Sequence, residues 1–389
     1  MVNVTLWWLF AIPLILSTLS FFLLPKLSNG SVDKTNSAIF AVVGLFISML
    51  IMAAAFYLGK GSKTHDEEIW NGRITQKQRE HGSYVRSYSC NCVQTCSGSG
   101  QNRSCSQTCQ TCYEDHYTVK WFAHSTIGTF DIDSEDSTSR RVYDLPDPPF
   151  YRQIQPGEAC AKTHSYTNYI KAVPESLFRP ASATIKAQFA GMVPAYPISI
   201  YNFWHVDRVL PVKINVPNLR EWNIKLSDSL RELGPAKQAN AVIVLVNTPD
   251  PNYIYALQDS WLNGKKNDII VVIGATQFPN KADWVSVLAL TDSEQFKIVL
   301  RDDLLALENL TPDAVIGTMA KDIGKMFKRK PMADFDYLDA EIDPPLWVNV
   351  TTATLVILAY IVFWMMVRSG NAPRFMRSYS SYGYGRRFR

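Results

Sequence analysis

Residues 240–274 read NAVIVLVNTPDPNYIYALQDSWLNGKKNDIIVVIG, and this stretch decides the fold of the C-terminal half of the chain. Two apolar runs, NAVIVLVN at 240–247 and DIIVVIG at 268–274, have the length of buried strands. Between them, Ile254, Leu257 and Trp261 recur at helical spacing. Because strand, helix and strand alternate, the sequence predicts an α/β layered domain with a largely parallel sheet.

The pattern continues on both sides of this stretch. A helix precedes it, with an apolar face made by Leu219, Trp222, Leu226, Leu230 and Leu233. A third strand is predicted at 284–291 (WVSVLALT), and Thr311-Pro312 opens a last helix. The α/β domain is therefore predicted to span residues 216–338.

Residues 60–215 are predicted to be a β-rich region. HYTVKWFA at 116–123 alternates as a half-buried strand does, and 196–216 (YPISIYNFWHVDRVLPVKINV) is aromatic and β-branched. The segment 65–88 is polar and charged, which is typical of a stalk or an exposed first layer.

The order of elements over residues 217–330 resembles the TPM domain. The closest local matches are Trp261-Leu262-Asn263-Gly264 with Lys265–Gly274, and Phe296–Leu305 before the last helix. That resemblance implies a small α/β module anchored to a membrane and facing its extracytoplasmic or lumenal side. Some members of the family are divalent-metal-dependent phosphatases. The overall layout, including the cysteine loop ahead of HYTVKW, also resembles uncharacterised membrane proteins of large tailed phages.

Two departures separate this chain from the TPM pattern. Asn267-Asp268 stands where the family tends to have an Asn-Gly turn, and Ala289-Leu290-Thr291 replaces its Gly-rich strand end. No metal ligand is carried over from the family for this reason.

Three charge-free apolar runs predict transmembrane helices at residues 6–25, 37–59 and 346–367. Each has about the 20 residues that a helix needs to cross a bilayer core of roughly 30 Å. The chain is therefore predicted to be a multi-pass membrane protein, phage or bacterial, whose large domain lies between the second and third helices.

The charges near these runs predict the orientation. The tail, residues 368–389, has no acidic residue and six arginines, which are Arg368, Arg374, Arg377, Arg386, Arg387 and Arg389. Such a tail is expected in the cytoplasm, so the large domain is expected to be periplasmic or extracellular. Lys60 and Lys63 oppose this orientation. The tail arginines are predicted to contact anionic lipid, with a protein or nucleic-acid partner as the alternative.

Six cysteines lie in a polar, Gly-rich loop at 90–112: Cys90, Cys92, Cys96, Cys105, Cys109 and Cys112. A loop of this composition forms no core of its own, so three disulfides are predicted in an oxidising compartment. The alternatives are a zinc site, since Cys109-x-x-Cys112 has finger-like spacing, and free thiols. Six cysteines allow 15 pairings, so the connectivity stays open.

The sequence identifies no catalytic residue and predicts no cofactor. None of the common nucleotide-binding, hydrolase or zinc-protease motifs is present. Asp268, Asp283 and Asp292 follow or precede predicted strands, and they are the alternative candidates for a divalent metal.

The sequence thus favours a binding or assembly scaffold with a protein partner or a homo-oligomer and no identified small-molecule substrate. A membrane-tethered phosphatase of the TPM type is the alternative.

Overall fold

A computed structural model describes residues 4–28, 32–97, 104–173 and 180–370 of the 389-residue chain. The α-helices in this part are α1 (Val4–Leu27), α2 (Lys34–Thr64), α3 (Pro149–Gln153), α4 (Tyr169–Ala172), α5 (Ala183–Gln188), α6 (Leu219–Lys237), α7 (Tyr253–Trp261), α8 (Glu294–Leu305), α9 (Pro312–Met326) and α10 (Leu346–Arg368). The strands are β1 (His65–Ser97), β2 (Ser104–Ser125), β3 (Gly128–Ser137), β4 (Ala159–Thr167), β5 (Val209–Val212), β6 (Asn240–Val246), β7 (Asp268–Gly274) and β8 (Trp284–Ala289).

The chain divides into two compact units. The first comprises Met1–Asp66, Tyr166–Arg179 and Met332–Arg389, and the second comprises Glu67–Ser165 and Pro180–Pro331.

The first unit contains the three apolar helices α1, α2 and α10, which contact one another pairwise. Each is long and apolar enough to cross a membrane, which confirms three helices of spanning length in the part of the chain that the structure describes. Two polar contacts lie inside the bundle: Ser17 Oγ is 2.8 Å from Tyr360 OH, and Trp364 Nε1 donates to Ser20 Oγ at 2.9 Å. Lipid tails offer no hydrogen-bond partner, so these pairs satisfy groups that a bilayer would otherwise leave exposed.

The second unit contains two four-stranded sheets, ordered β3-β2-β1-β4 and β5-β6-β7-β8. In the second sheet, β5, β6 and β7 are parallel and β8 is antiparallel to β7. Both β6 and β7 are buried along their whole length, which accounts for their unbroken apolar sequence. One face of this sheet is covered by α6, α8 and α9, and the other by α7. A layered arrangement of helices on a largely parallel sheet is therefore present.

The structure differs from the sequence-based boundaries in the region before residue 216. The first strand of the α/β sheet, β5 at Val209–Val212, lies within the segment that was assigned to the β-rich region. That region does contain β1 to β4, but α3, α4 and α5 also lie in it. The stretch 196–216 forms no continuous strand, because a tight turn joins Tyr201 and His205, whose backbones exchange two hydrogen bonds of 2.9 Å.

Candidate functional site

The most unusual element of the second unit is the hairpin of β1 and β2. The two strands pair from Ile74 opposite Ser125 to Ser97 opposite Ser104. Among the described residues, β3 pairs with β2 only from Tyr117 onward. We call residues 84–97 and 104–116 the arm, a two-stranded ribbon roughly 40 Å long at the usual rise per residue. A two-stranded ribbon is marginally stable by itself in water, so the arm needs additional links.

Disulfides supply those links. Cys90 is bonded to Cys112, Cys92 to Cys109 and Cys96 to Cys105. The disulfide prediction is confirmed, and the pairing that the sequence left open is antiparallel and nested. None of these six sulfurs remains a thiolate, so they do not form the zinc site that was the alternative.

A β-bulge places these links on both faces of the arm. The register between β1 and β2 shifts by one residue between Cys90 and Val93, and Asn91 has a φ of 47°. Without the extra residue, Cys90 and Cys92 would lie on the same face, because side chains alternate along a strand. With it, Cys90 reaches Cys112 on one face while the other two disulfides lie on the opposite face. The arm is therefore crosslinked from both sides.

The arm exposes large side chains to solvent. Tyr113 is 71% exposed, Val93 65%, Val85 61%, and Tyr84 and Tyr88 46% each. The rest of the arm is rich in Ser, Thr and Gln. Tyrosine among small polar residues is typical of protein-binding surfaces, because its ring gives a large contact area and loses little conformational entropy. The crosslinked backbone reduces that entropy loss further.

A hydrogen-bonded group fixes the base of the arm to β3. Tyr84 OH donates to Asp136 Oδ2 at 2.6 Å, and His116 Nδ1 is 2.7 Å from Asp136 Oδ1. The hydrogen bond from Tyr84 and the contact with His116 lower the pKa of Asp136. The same hydrogen bond to Asp136 raises the pKa of Tyr84. These residues come from three neighbouring strands, so the group ties the ribbon to the sheet.

The three acids that the sequence offered as alternative metal ligands do not lie together. Asp268 begins β7 and Asp292 follows β8, whereas Asp283 lies at the opposite end of the same two strands, with its backbone bonded to Gly274. Seven residues of β7 separate the two ends, a distance of about 20 Å. Asp268 therefore lies at the amino edge of the parallel strands, away from the carboxyl edge where ligands of open sheets bind.

Each of these acids has a protein partner. Asp283 Oδ2 accepts hydrogen bonds from the backbone N–H and the hydroxyl of Thr276, and Asp292 lies 3.3 Å from Lys328 Nζ. Asp268 is buried and accepts from Asn240, Tyr196 and the backbone of Lys265.

Asp268 belongs to a buried polar network that extends to β1. Asn240 Nδ2 donates to Asp268 at 2.9 Å, while Asn240 Oδ1 accepts from Arg208 Nε at 3.0 Å. Arg208 also donates to Asn71 Oδ1, and Asn71 Nδ2 donates to the carbonyl of Ala239 at 3.1 Å. Burial raises the pKa of Asp268 despite the three hydrogen bonds that it accepts. The network joins the two sheets of the second unit.

Within the described ranges, no group of three or more His, Cys, Asp or Glu side chains is placed to hold a metal ion. Arg368 is the last residue of α10. The other tail arginines, Arg374, Arg377, Arg386, Arg387 and Arg389, lie outside the described residues.

Comparisons of the chain with protein-family models, curated proteins and solved structures found no match. The resemblances to the TPM domain and to phage membrane proteins remain predictions.

Two functional features were missed from the sequence. The tyrosines of the arm gave a signal, since Tyr84, Tyr88 and Tyr113 flank the cysteines in a polar segment. Arg208 gave no signal, because it is one arginine in an aromatic stretch and its partner Asn71 is 137 residues away.

Proposed function

We propose that this chain is a membrane-anchored binding or assembly protein that presents the disulfide-linked arm outside the cytoplasm to a protein partner, or to a second copy of itself. The observation that carries the proposal is the arm, whose exposed Tyr84, Tyr88 and Tyr113 stand on a backbone held by three disulfides. Large rings exposed to water do not stabilise a ribbon that disulfides already hold. In a binding surface the same rings supply contact area.

The compartment follows from the same disulfides. Disulfides form and persist in oxidising compartments and are rare in the cytoplasm. The second unit is therefore assigned to the periplasmic or extracellular side, which agrees with the acidic segment before α10 and with the basic tail after it. In this orientation we expect each arginine of the basic tail to contribute about 1 kcal/mol of attraction to anionic lipid of the cytoplasmic leaflet.

The binding role of the arm is tested by photo-crosslinking in native membranes. A photoreactive residue in place of Tyr113 or Tyr88 is expected to give a discrete crosslinked species that mass spectrometry identifies as a partner or a second copy. Ile298 on α8 is 52% exposed and serves as the control position in the same unit. The proposal fails when the arm positions give no adduct, or when Ile298 gives the same one.

The orientation is tested by protease added to intact cells or spheroplasts with an accessible outer face. Cleavage within residues 67–331 and protection of the tail are expected. Protection of the second unit, with digestion only after lysis, would reverse the orientation and remove the oxidising compartment on which the proposal depends.

A further inference from the structure

The second unit contains a cleft of about 840 Å³ that none of the arm residues lines. Its walls are the start of β4, the segment 201–208 with the first three residues of β5, and one face of α6. The α6 residues recur at helical spacing and include Arg220, Ile224 and Ser227. The volume lies in the range of roughly 300–1,000 Å³ that small-molecule sites occupy.

Strand addition along β5 is excluded as the way this cleft binds. The carbonyls of Arg208 and Val212 accept hydrogen bonds from the N–H groups of Ile243 and Asn247, so the backbone groups of Val209 and Pro211 face the free edge of the sheet. The N–H of Val209 already donates to Asn223 Oδ1 at 3.0 Å, and proline has no N–H. A ligand in the cleft is therefore recognised by side chains.

The floor of the cleft contains a buried guanidinium, Arg208, with no carboxylate within hydrogen-bond distance among the described residues; the charges of Asp268 and Asp207 act on it from farther away. Arg208 is 2% exposed, and within the described residues its hydrogen bonds go to the neutral groups of Asn240, Asn71, Ser227 and Val206. Its Nη1 contacts are the longest, at 3.4 Å to Ser227 Oγ and 3.5 Å to the carbonyl of Val206. Arginine is seldom buried unless it is paired, since burial of an uncompensated charge is costly. Burial lowers the pKa of Arg208 to about 10, so it stays charged at neutral pH.

Two further side chains that line the cleft, Trp204 and Arg220, have N–H groups with no acceptor among the described residues. Trp204 is 2% exposed, and its Nε1 has no hydrogen-bond partner among the described residues. Arg220 lies exposed on α6 and makes no hydrogen bond or ion pair within that same part of the chain.

The carboxylates along the cleft, in contrast, already accept hydrogen bonds or ion pairs from the protein. Asp207 accepts from Tyr201 OH at 2.9 Å, Asp228 lies 3.6 Å from Arg231, and Glu158 accepts from a backbone N–H at 3.3 Å. Each of these carboxylates is thus held by a protein donor, whereas Trp204 Nε1 and the Arg220 side chain are held by no acceptor among the described residues.

Apolar surface lies beside these donors. Ile224 is 51% exposed and Tyr201 is 46% exposed, and Leu210 and Val206 line the same cleft. We propose that the cleft binds a carboxylate attached to an apolar body, with the carboxylate on the Arg208–Arg220 side and the apolar part against Tyr201 and Ile224. Two sources carry this chemistry: a free apolar acid and the C-terminal carboxylate of a polypeptide.

Isothermal titration of the full chain in lipid nanodiscs tests the charge requirement. The probe is 3-phenylpropionate, and 3-phenylpropionamide is its uncharged match. The acid is expected to bind with saturation and one-to-one stoichiometry, and the amide about tenfold more weakly, as loss of a charge-assisted hydrogen bond implies. N-acetyl-Leu-Phe, with its free carboxylate, is titrated beside the acid, and the tighter of the two identifies the source. Equal binding of acid and amide, or no saturable binding of either at millimolar concentration, overturns the proposal.

Variants at exposed positions locate the site and avoid unfolding the buried network. Ile224→Trp fills the cleft and is expected to abolish binding, and Arg220→Gln is expected to weaken it about fivefold. Arg301→Gln, on the exposed surface of α8, is the matched control and should leave the affinity unchanged. Full binding by Ile224→Trp places the ligand elsewhere and overturns the assignment.

Discussion

Glu68 Oε1 lies 3.3 Å from Nη2 of Arg329, although 261 residues separate the two in the chain. The Glu68 side chain is fully buried, accepts a hydrogen bond from Trp70 Nε1 at 2.8 Å and lies 3.4 Å from Lys266 Nζ. One buried carboxylate thus holds two cations from distant parts of the second unit. Burial lowers the pKa of Lys266, and the charge of Glu68 opposes that effect.

Removal of this carboxylate charge is expected to destabilise the second unit strongly. In Glu68→Gln, Lys266 and Arg329 would stay close together and lose the negative charge of Glu68. The free energy of unfolding should fall by about 3 kcal/mol, as is typical when one partner of a buried ion pair is lost. Glu67→Gln is the matched control and should change it by less than about 0.5 kcal/mol. Urea unfolding in detergent, followed by tryptophan fluorescence, measures both, and equal midpoints would show that Glu68 is not needed.

Gly234 in α6 is required by close packing. A Cβ atom at this position would lie 2.2 Å from the carbonyl oxygen of Asn71. Gly234→Ala should therefore destabilise the protein by about 2 kcal/mol or more, although alanine favours a helix by about 1 kcal/mol over glycine.

Gly317 in α9 is the control for this substitution, since nothing lies within 4 Å of a Cβ added there. Gly317→Ala should stabilise the protein by about 0.5–1 kcal/mol, because only the helix propensity changes. Thermal unfolding of both variants checks the opposite signs, and a stabilised Gly234→Ala would contradict the contact with Asn71.

The buried carboxyl of Asp268 predicts a pH dependence of stability. Its folded-state pKa lies above the ordinary 3.8, so the folded state holds the proton more tightly than the unfolded state. The stability gained in this way is fully present below pH 3.8 and is lost as the pH rises through the folded-state pKa.

The comparison with Asp268→Asn isolates this effect, because asparagine does not titrate. The unfolding free energy of the wild type minus that of this variant should therefore decrease as the pH is raised from about 4 to 8, because only the wild type loses this contribution. Asp131→Asn, at an exposed position on β3, controls for general charge effects. A difference that grows with pH would mean that the pKa of Asp268 is lowered.

Cys160, the free cysteine of the second unit, should be unreactive in the folded protein. It is 4% exposed, and burial raises the pKa of its thiol to about 12, so almost no thiolate forms at pH 8. N-ethylmaleimide should add no label to the native, unreduced chain and one label after unfolding in urea. Intact-mass measurement checks this, and labelling of the native chain would contradict the burial of Cys160.

The sequence predicted those parts of the fold that have a local signal. The two apolar runs at 240–247 and 268–274 became β6 and β7, and Thr311-Pro312 became the N-terminus of α9, with Thr311 Oγ accepting from Ala314 N–H. These features depend on neighbouring residues, so a single sequence shows them.

The parts that were missed depend on distant contacts or on exposure to water. Residues 65–88 read as a stalk because half of this segment of β1 is exposed and several of its buried side chains, such as Asp66, Glu68 and Asn71, are polar, so no regular apolar alternation marks it. The strand β5 has four residues and includes Pro211, which is unusual in a strand and tolerated here on a sheet edge. Glu68 and Arg329 lie in unremarkable sequence, and only the fold brings them together.

The disulfide map of the chain, taken from its native membrane after free thiols are trapped with N-ethylmaleimide, tests the central claim most directly. Trypsin cleavage after Arg86, Arg103 and Lys120 gives peptides 87–103 and 104–120, and each contains three of the six arm cysteines. We predict that the two peptides remain joined without reductant, with none of the six cysteines labelled, because all six form the pairs of the arm. Separate peptides carrying three labels each would show that the arm is reduced in the cell, and they would contradict an extracytoplasmic, disulfide-held binding arm.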